Sequence, residues 1–513
     1  MRNIFNAIQL TKPKSNVFDL SHDVKLSLNM GELVPIMCEP CIPGDKFNIS
    51  CESLLRFAPM VSPVMHRMDV TMHYFFVPNR LLWDGWEDYI TNTNLAPAHP
   101  FVQYGDFSLP NTSQYTRLFD YLGLPDWDGT PNVAEQVSAL PFAAYQAVYQ
   151  EYYRDQNLVT EMDYTLGDGQ LLNTDFFKLQ LRSYEHDYFT AALPFAQKGD
   201  PVTIPISGIV ELSSPPGGQT NPQIIRDSTG TAISGDLAAE GGSGNMEIQG
   251  SGVDAYLDPN GTLEVNNANS TINDLRRAYR LQEWLEKAAR GGSRYVENIL
   301  MHFGVKSPDA RLQRPEYITG TKSPVTISEV LNTTGTDDNP QGNMAGHGVS
   351  VTTGRYGNYY CQEHGYIIGV MSVMPKTAYQ QGIPKHFLKI NDPFEHFWPS
   401  FANIGEQEVQ KRELFAFQGA IGRDTFGYVP RYAEYKYSPS RVAGDFKTNL
   451  NFWHLGRIFD TPPLLNQQFV ECAPINNERI FAVTDPDVQK LYAHVYNKIK
   501  AVRRMPKFGT PTF

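Results

Sequence analysis

Phe18-Asp19-Leu20-Ser21-His22-Asp23-Val24-Lys25-Leu26-Ser27-Leu28-Asn29-Met30 alternates with a period of two. The even positions carry Phe, Leu, His, Val, Leu, Leu and Met, and the odd positions are polar. Successive side chains of an extended strand point to opposite faces, so this spacing predicts a strand with one buried and one wet face. A second run places Met68, Val70, Met72, Tyr74 and Phe76 on one side, with Arg67, Asp69, Thr71 and His73 on the side expected to meet water. Between them, the turn Ile42-Pro43-Gly44-Asp45 leads into 46–51, where Phe47, Ile49 and Cys51 share a face. Tyr366-Ile367-Ile368-Gly369-Val370-Met371 is apolar throughout and predicts a strand covered on both faces. Strand signals thus run from one end of the chain to the other.

Helices are fewer. Ser138-Ala139-Leu140-Pro141 reads as a cap with proline in the first turn, continuing over 142–153. The stretch 271–290 is the clearest helix, with Leu275, Tyr279, Leu281, Leu285 and Ala288 near one face. Thr271 and Asp274 have capping-box spacing, and Gly291-Gly292 ends it. Long Pro-, Asn-, Gly- and Tyr-rich loops lie between, and loops of that length usually carry contacts or function.

At ~100–200 residues per domain, the 513 residues divide here into three parts: 1–200, 201–270 and 271–513. The middle part holds eleven of the forty glycines. Over 201–275 nine acidic residues, among them Asp236, Glu240, Glu247 and Asp254, face one basic residue, Arg226, so this stretch carries −8 of the net −12. It reads as an acidic surface insertion with short strand-like pieces at 202–206 and 262–265. The ends are biased the other way. Lys490, Lys498, Lys500, Arg503, Arg504 and Lys507 are unopposed over 488–513, as are Arg2, Lys12 and Lys14 at the start. Such termini suit local binding of a polyanion, while a net −12 excludes a nucleic-acid coat over the whole surface. No run approaches the ~18 apolar residues of a membrane span, and the start lacks a signal-peptide core. Five cysteines make no disulfide framework and suit a reducing cytoplasm.

Catalytic signatures are missing. There is no phosphate loop, dinucleotide fingerprint, nucleophile elbow or zinc-helix motif. Cys38-x-x-Cys41 lacks a second ligand pair, although Cys51 and His66 would in principle complete four; small residues beside β-structure are the favoured reading. Glu283 and Glu286 sit among Arg280, Lys287 and Arg290, the pattern of a solvated or interface helix face. Aromatic clusters at 145–153 and 428–437 suit either base stacking or core and subunit contacts.

Arg290-Gly291-Gly292-Ser293-Arg294-Tyr295, followed by His302-Phe303-Gly304-Val305-Lys306-Ser307-Pro308-Asp309-Ala310-Arg311-Leu312-Gln313-Arg314-Pro315-Glu316-Tyr317, resembles a signature of the major capsid proteins of Microviridae, most closely the gokushovirus-like branch. Tyr153-Arg154-Asp155-Gln156-Asn157-Leu158, Phe75-Phe76-Val77-Pro78-Asn79-Arg80-Leu81-Leu82-Trp83 and Gly427-Tyr428-Val429-Pro430-Arg431-Tyr432-Ala433-Glu434-Tyr435-Lys436 are similar to further family segments. The likeness spans about 18–459.

The resemblance implies a mainly β fold: an eight-stranded antiparallel jelly roll with long loop insertions and a few helices. It implies a non-enzymatic subunit, without cofactor, that self-assembles as a homo-oligomer into a T=1 icosahedral shell. That shell encloses circular single-stranded DNA, is assembled in the host bacterial cytoplasm and is not inserted in a membrane. Partners would be minor phage structural proteins, a scaffolding protein and a host surface receptor. On this reading the 201–270 insertion is the threefold protrusion, with Asp236, Glu240, Glu247 and Asp254 facing the host. Charge makes Lys12, Lys14, Lys498, Lys500, Arg503, Arg504 and Lys507 the DNA-contact candidates. Arg311, Arg314, Glu316 and Tyr317 are candidates for a network joining either neighbouring subunits or loops of one subunit. The alternatives are a carbohydrate-binding or carbohydrate-cleaving β-sandwich, for which no local motif marks the needed carboxylate pair, and a non-capsid spike or adhesin worked by the acidic insert.

Overall fold

The computed structural model describes residues 14–92, 97–104, 112–125, 135–200, 202, 225–226, 237–239, 246–248, 256–257, 272–292, 294–331, 344–417 and 420–508. The chain forms two compact units, one made of 1–196 with 289–513 and the other of 197–288. The second unit therefore extends past the compositional boundary at 270 and takes in most of the predicted helix.

In the first unit, eleven strands build two antiparallel sheets. They are β1 (Asn16–Asp19), β2 (His22–Leu28), β3 (Val34–Cys41), β4 (Lys46–Phe57), β5 (Met68–Pro78), β6 (Glu316–Pro324), β7 (Thr326–Leu331), β8 (Met344–Thr353), β9 (Gly357–Tyr360), β10 (Gly365–Pro375) and β11 (Leu491–Arg503). The larger sheet runs β1-β11-β4-β8-β7, with β2 also on β11 and β9 also on β4; the smaller runs β6-β5-β10-β3. β1 and β2 follow one register along β11, from Asn16↔Arg503 to Leu28↔Leu491, interrupted at Leu20 and Ser21. β8 and β9 likewise lie end to end along β4. Taken as single runs, they leave four strands in each sheet plus the edge strand β7. This is a mainly β, antiparallel jelly-roll sandwich of the viral capsid type.

The alternating residues explain the packing. Leu28, Phe47, Ile49, Leu55, Val495 and Ile499 of the larger sheet meet Ile36, Met72, Tyr74, Phe76, Ile367 and Met371 of the smaller. One polar bridge crosses this core. The Tyr74 hydroxyl donates to Asn497 Oδ1 at 2.7 Å, and Asn497 Nδ2 donates to the Ile36 carbonyl at 2.9 Å. The second face of the smaller sheet is also covered. Phe75, Val77, Ile368 and Val370 pack with Phe142, Tyr145 and Tyr149 of α1 (Leu140–Tyr152). The Ser138 hydroxyl accepts from the Leu140 amide at 3.3 Å, and Pro141 occupies the first turn. The 366–371 run is apolar because one face of β10 meets the sandwich core and the other meets the helix.

That second cover corrects one expectation. Asp69 and Thr71 are buried, not wet. Lys322 and Lys376 lie 3.2 and 3.5 Å from Asp69 and also pair with Glu185, while Arg182 donates to Ser372 at 2.9 Å and to Thr71. Ion pairs and hydrogen bonds make burial of these groups tolerable. His73 lies on the same face, with its Nδ1 2.6 Å from the Tyr153 hydroxyl.

Burial, joined by the Arg182 and Lys322 cations, pushes His73 down to about 4, and burial pushes His66 down to about 4. A histidine held neutral in the fold titrates first in the unfolded chain. The stability it contributes is intact above the ordinary value of 6.5 and is lost as the pH falls from there toward about 4. The thermal midpoint is expected to drop across that window, and His73→Phe is expected to flatten the drop. An unchanged slope in the variant would remove His73 from the account.

After β10 the chain folds as short 3-10 turns and the hairpin Glu406–Gln410 with Thr425–Pro430, around a separate core of Tyr188, Phe189, Tyr379, Leu414, Phe426 and Phe469. In the second unit, Leu237–Ala239 pairs with Met246–Ile248 and Ile225–Arg226 with Tyr256–Leu257. The helix α2 (Ile272–Gly291) begins there. Its cap Thr271, the strand-like piece at 262–265 and all but Val202 of the piece at 202–206 lie outside the described residues.

Candidate nucleic-acid and assembly interface

Strand pairing brings the two basic termini together. β1 runs antiparallel to the end of β11, and Asn16 Nδ2 extends the contact by donating to the Met505 carbonyl at 2.6 Å. This carries Lys14 to the end of β11 that Arg504 and Lys507 follow, and all three are exposed. β4 adds Lys46, opposite Val502 in the register and also exposed. A shallow groove lined by Ser15, Gly44, Lys46, Tyr360, Val502 and Arg504 marks the place. Lys46 was missed from sequence because it is a lone cation among Glu39, Asp45 and Glu52; only the β4–β11 register carries it to the basic end. Lys12 lies outside the described residues.

The basic candidates differ in what they touch. Arg503 turns inward: its Nε is 3.0 Å from Asp45 Oδ2, its Nη2 donates to the Pro40 carbonyl at 2.7 Å, and its guanidinium lies over Phe47. Lys498 pairs with Glu52, which raises its ammonium pKa. Lys500 is exposed and faces Asp19 across β1. The Asp19 carboxyl sits below its ordinary value through hydrogen bonds from Ser21, with Lys500 assisting. Alternation along β11 sends Ala493, Val495, Ile499 and Ala501 into the core and Tyr492, His494, Tyr496, Lys498 and Lys500 outward. Aromatic rings and cations therefore share one face, an arrangement on which bases stack and phosphates are neutralised. Period-two counting over 491–503 would have found the tyrosines.

The resemblance segments also converge. Gln156 Nε2 donates to both carboxylate oxygens of Glu297, at 2.7 and 2.8 Å. Arg294 donates to the Gln150 carbonyl at 2.6 Å, and Arg290 Nε donates to Glu406 at 2.9 Å. Arg314 lies 3.0 Å from Asp309 and over the Tyr152 ring, whose hydroxyl donates to the Pro315 carbonyl at 2.6 Å. Glu316 accepts from the Tyr359 hydroxyl at 2.8 Å, and burial raises its carboxyl. Tyr317 packs edge-on against His73 and Phe75. Arg314, Glu316 and Tyr317 thus tie loops to the sandwich within one subunit, while Arg311 is exposed.

Cys38 and Cys41 are three apart on β3 and so face opposite ways, Cys38 toward the α1 layer and Cys41 into the sandwich core, which keeps them from sharing an ion. All five cysteines are free thiols. Among the described residues, no group of three or more His, Cys, Asp or Glu is placed to hold a metal, and no helix is long and apolar enough to cross a membrane. Glu283 pairs with Arg280 at 2.6 Å and with Lys287 at 2.8 Å, and Glu286 accepts from Gln282. Of the insertion candidates, Glu247 lies in the strand Met246–Ile248, while Asp236, Glu240 and Asp254 lie outside the described residues.

Jelly-roll sandwiches serve in viral shells and in lectins, and the chain's likeness to known proteins decides between them. The capsid protein (F protein) family matches residues 7–513, and the chain belongs to that family. It is 36% identical to capsid protein VP1 of Bdellovibrio phage phiMH2K over 96% of this chain and 94% of that protein. It is 33% identical to capsid protein VP1 of Chlamydia phage 1, covering 100% and 98% of the two chains. Its identity to capsid protein VP1 of Spiroplasma virus 4 is 30%, covering 97% and 95%. The chain is a phage capsid protein, non-enzymatic, that assembles into the shell of a virion. The carbohydrate-binding and adhesin alternatives are set aside.

Proposed function

We propose that this chain is the major subunit of a T=1 icosahedral shell enclosing circular single-stranded DNA, with the basic end of the larger sheet turned toward the genome. The convergence of Lys14, Lys46, Lys500, Arg504 and Lys507 through β1–β11–β4 pairing carries the reading. Cations from both termini and from a third strand meet beside outward tyrosines of β11. Such a surface holds a strand through phosphate contacts and stacking without reading its sequence. The five free thiols suit assembly in the reducing host cytoplasm, where a scaffolding protein and minor structural proteins would act.

Replacing Lys46, Lys500, Arg504 and Lys507 together by Gln is expected to lower DNA content per particle while shells still form. For single-stranded DNA, the dependence of log affinity on log salt should become shallower by ~0.7 for each phosphate that the variant no longer neutralises. Normal genome content in those particles would move the DNA contact elsewhere. Lys498 and Arg503 are left out because Glu52 and Asp45 already occupy them.

The acidic insertion is proposed as the threefold protrusion that meets the host receptor. Its residues fall in a compact unit of their own, so deleting 205–268 should leave a folded subunit and reduce host attachment or threefold stability. Unchanged infectivity and unchanged particle stability together would end that role.

A further inference from the structure

Two stretches of the first unit carry apolar side chains but bury none of them. The first is the segment after β10 that includes the 3-10 turns Lys385–Phe387, Pro393–Glu395 and Pro399–Phe401, none with a buried residue. It exposes Phe387, Ile390, Phe394, Phe397, Trp398 and Ile404, with Ile390 at 82%. The second is the helix α3 (Tyr295–Phe303) and its exit, again without a buried residue. It exposes Tyr295, Leu300, Phe303 and Val305, with Phe303 at 78%. Contiguous apolar surface of this kind marks an interaction site.

The first surface is already ordered. Asp392 Oδ1 accepts from the Phe394 amide at 2.8 Å, the Trp398 indole donates to the Pro393 carbonyl at 3.1 Å, and Arg431 donates to the Phe394 carbonyl at 2.8 Å. Phe394 meets Phe401 edge-on, and Phe397 meets Tyr432 in the same way. Presenting rigid aromatics lowers the ordering cost of association, and aromatic anchors dominate interface energies.

The flanking charges are opposite. Beside the first surface, Lys385 and Lys389 are taken up by Glu413 and Glu434, leaving Asp392 and Glu395 without an ion pair among the described residues. Beside the second, Asp309 is taken up by Arg314, leaving Lys306 and Arg311. A twofold contact of the first surface with itself would set acid against acid. A head-to-tail contact sets acid against base, and such a contact closes into a ring when the rotation between copies allows it.

We infer that the 387–404 surface of one copy docks on the 295–311 surface of the next copy, with Asp392 and Glu395 facing Lys306 and Arg311. The inference rests on shell assembly by this family and names the surfaces that would meet. The test uses the full chain, expressed with the other structural genes of its phage and read by sedimentation and electron microscopy. Asp392→Lys with Glu395→Lys, and separately Lys306→Glu with Arg311→Glu, are each expected to cut particle yield about tenfold, as a loss near 1.4 kcal/mol would. All four changes together are expected to restore most of it. Ile390→Ser with Ile404→Ser, two exposed side chains outside those ring and hydrogen-bond contacts, should leave a soluble subunit with an unchanged melting curve that does not assemble. Normal assembly of either reversed pair would overturn the inference. So would a fourfold variant no better than the worse pair, which is also the result expected if a minor structural protein covers the surface. A wild-type chain that forms no particles would instead defeat the assembly reading beneath it.

Discussion

Arg503→Ala is expected to destabilise the subunit by about 3–5 kcal/mol, the usual cost of removing one partner of a buried pair. Asp45 is fully buried. It closes the turn that leads into β4: its Oδ2 accepts from the Ile42 amide at 3.2 Å and forms an ion pair with Arg503, whose Nε lies 3.0 Å away. Burial raises the Asp45 carboxyl, and the Ile42 amide and Arg503 only partly oppose it. Without Arg503 the carboxylate keeps its burial and loses its cation. The sign of the pH dependence follows. A carboxyl raised in the fold favours the folded state below its unfolded value of 3.8, and that contribution is lost as the pH rises through the folded value. The deficit of Arg503→Ala should therefore be largest at neutral pH and shrink in acid. Asp45→Asn in the same chain should recover part of it. Thermal midpoints of the three chains at neutral and acid pH provide the check, and an equal deficit at both would rule out the charge as its cause. The consequence reaches function because Arg503 anchors the strand end that presents Arg504 and Lys507.

Gly31→Ala is expected to cost a comparable ~2–5 kcal/mol and to abolish soluble expression at growth temperature. Gly31 makes the turn from β2 to β3 at φ +87°, and a Cβ added there would stand 1.8 Å from the Cys472 carbonyl oxygen. The turn has no room to retreat. Its amide donates to the Val373 carbonyl at 3.0 Å, and its carbonyl accepts from the Arg182 amide at 2.7 Å. The left-handed backbone alone costs roughly 1–2 kcal/mol with a side chain, and forcing atoms into a packed site adds about 1–3 kcal/mol or more. Gly123→Ala separates the two. Gly123 has φ +95° with nothing within 4 Å of the added atom, so it should bear only the backbone cost. If the two variants melted alike, the close approach to Cys472 would carry no weight.

Strand positions were legible wherever one face of a sheet was wet. The alternations at 18–30 and 46–51 mark core faces, and the unbroken run at 366–371 marks a strand with two covers. β5 was half legible. Asp69, Thr71 and His73 read as solvent-facing because polar residues usually are, but Lys322, Lys376, Arg182 and Glu185 come from distant parts of the chain to cover and pair that face. The candidate site was legible as charge and illegible as geometry. Composition singled out Lys14, Lys500, Arg503, Arg504 and Lys507 together, yet Arg503 is spent inside the fold and Lys46 belongs with the exposed group.

The order of amino acids by itself determined the period of the strands at 18–30, 46–51 and 366–371, the apolar helix that closes the second layer, the acidic bias of 201–275, the basic ends and the segments that place the chain among phage capsid proteins. These are local properties, set by which side chain follows which. Tertiary structure alone decided which cations remain at the surface, which polar residues are buried, and which aromatics of the 387–404 segment stay exposed. The buried and spent charges depend on partners hundreds of residues away in the chain, and the 387–404 aromatics on Arg431 and Tyr432 a few tens away, all brought near only by the tertiary fold.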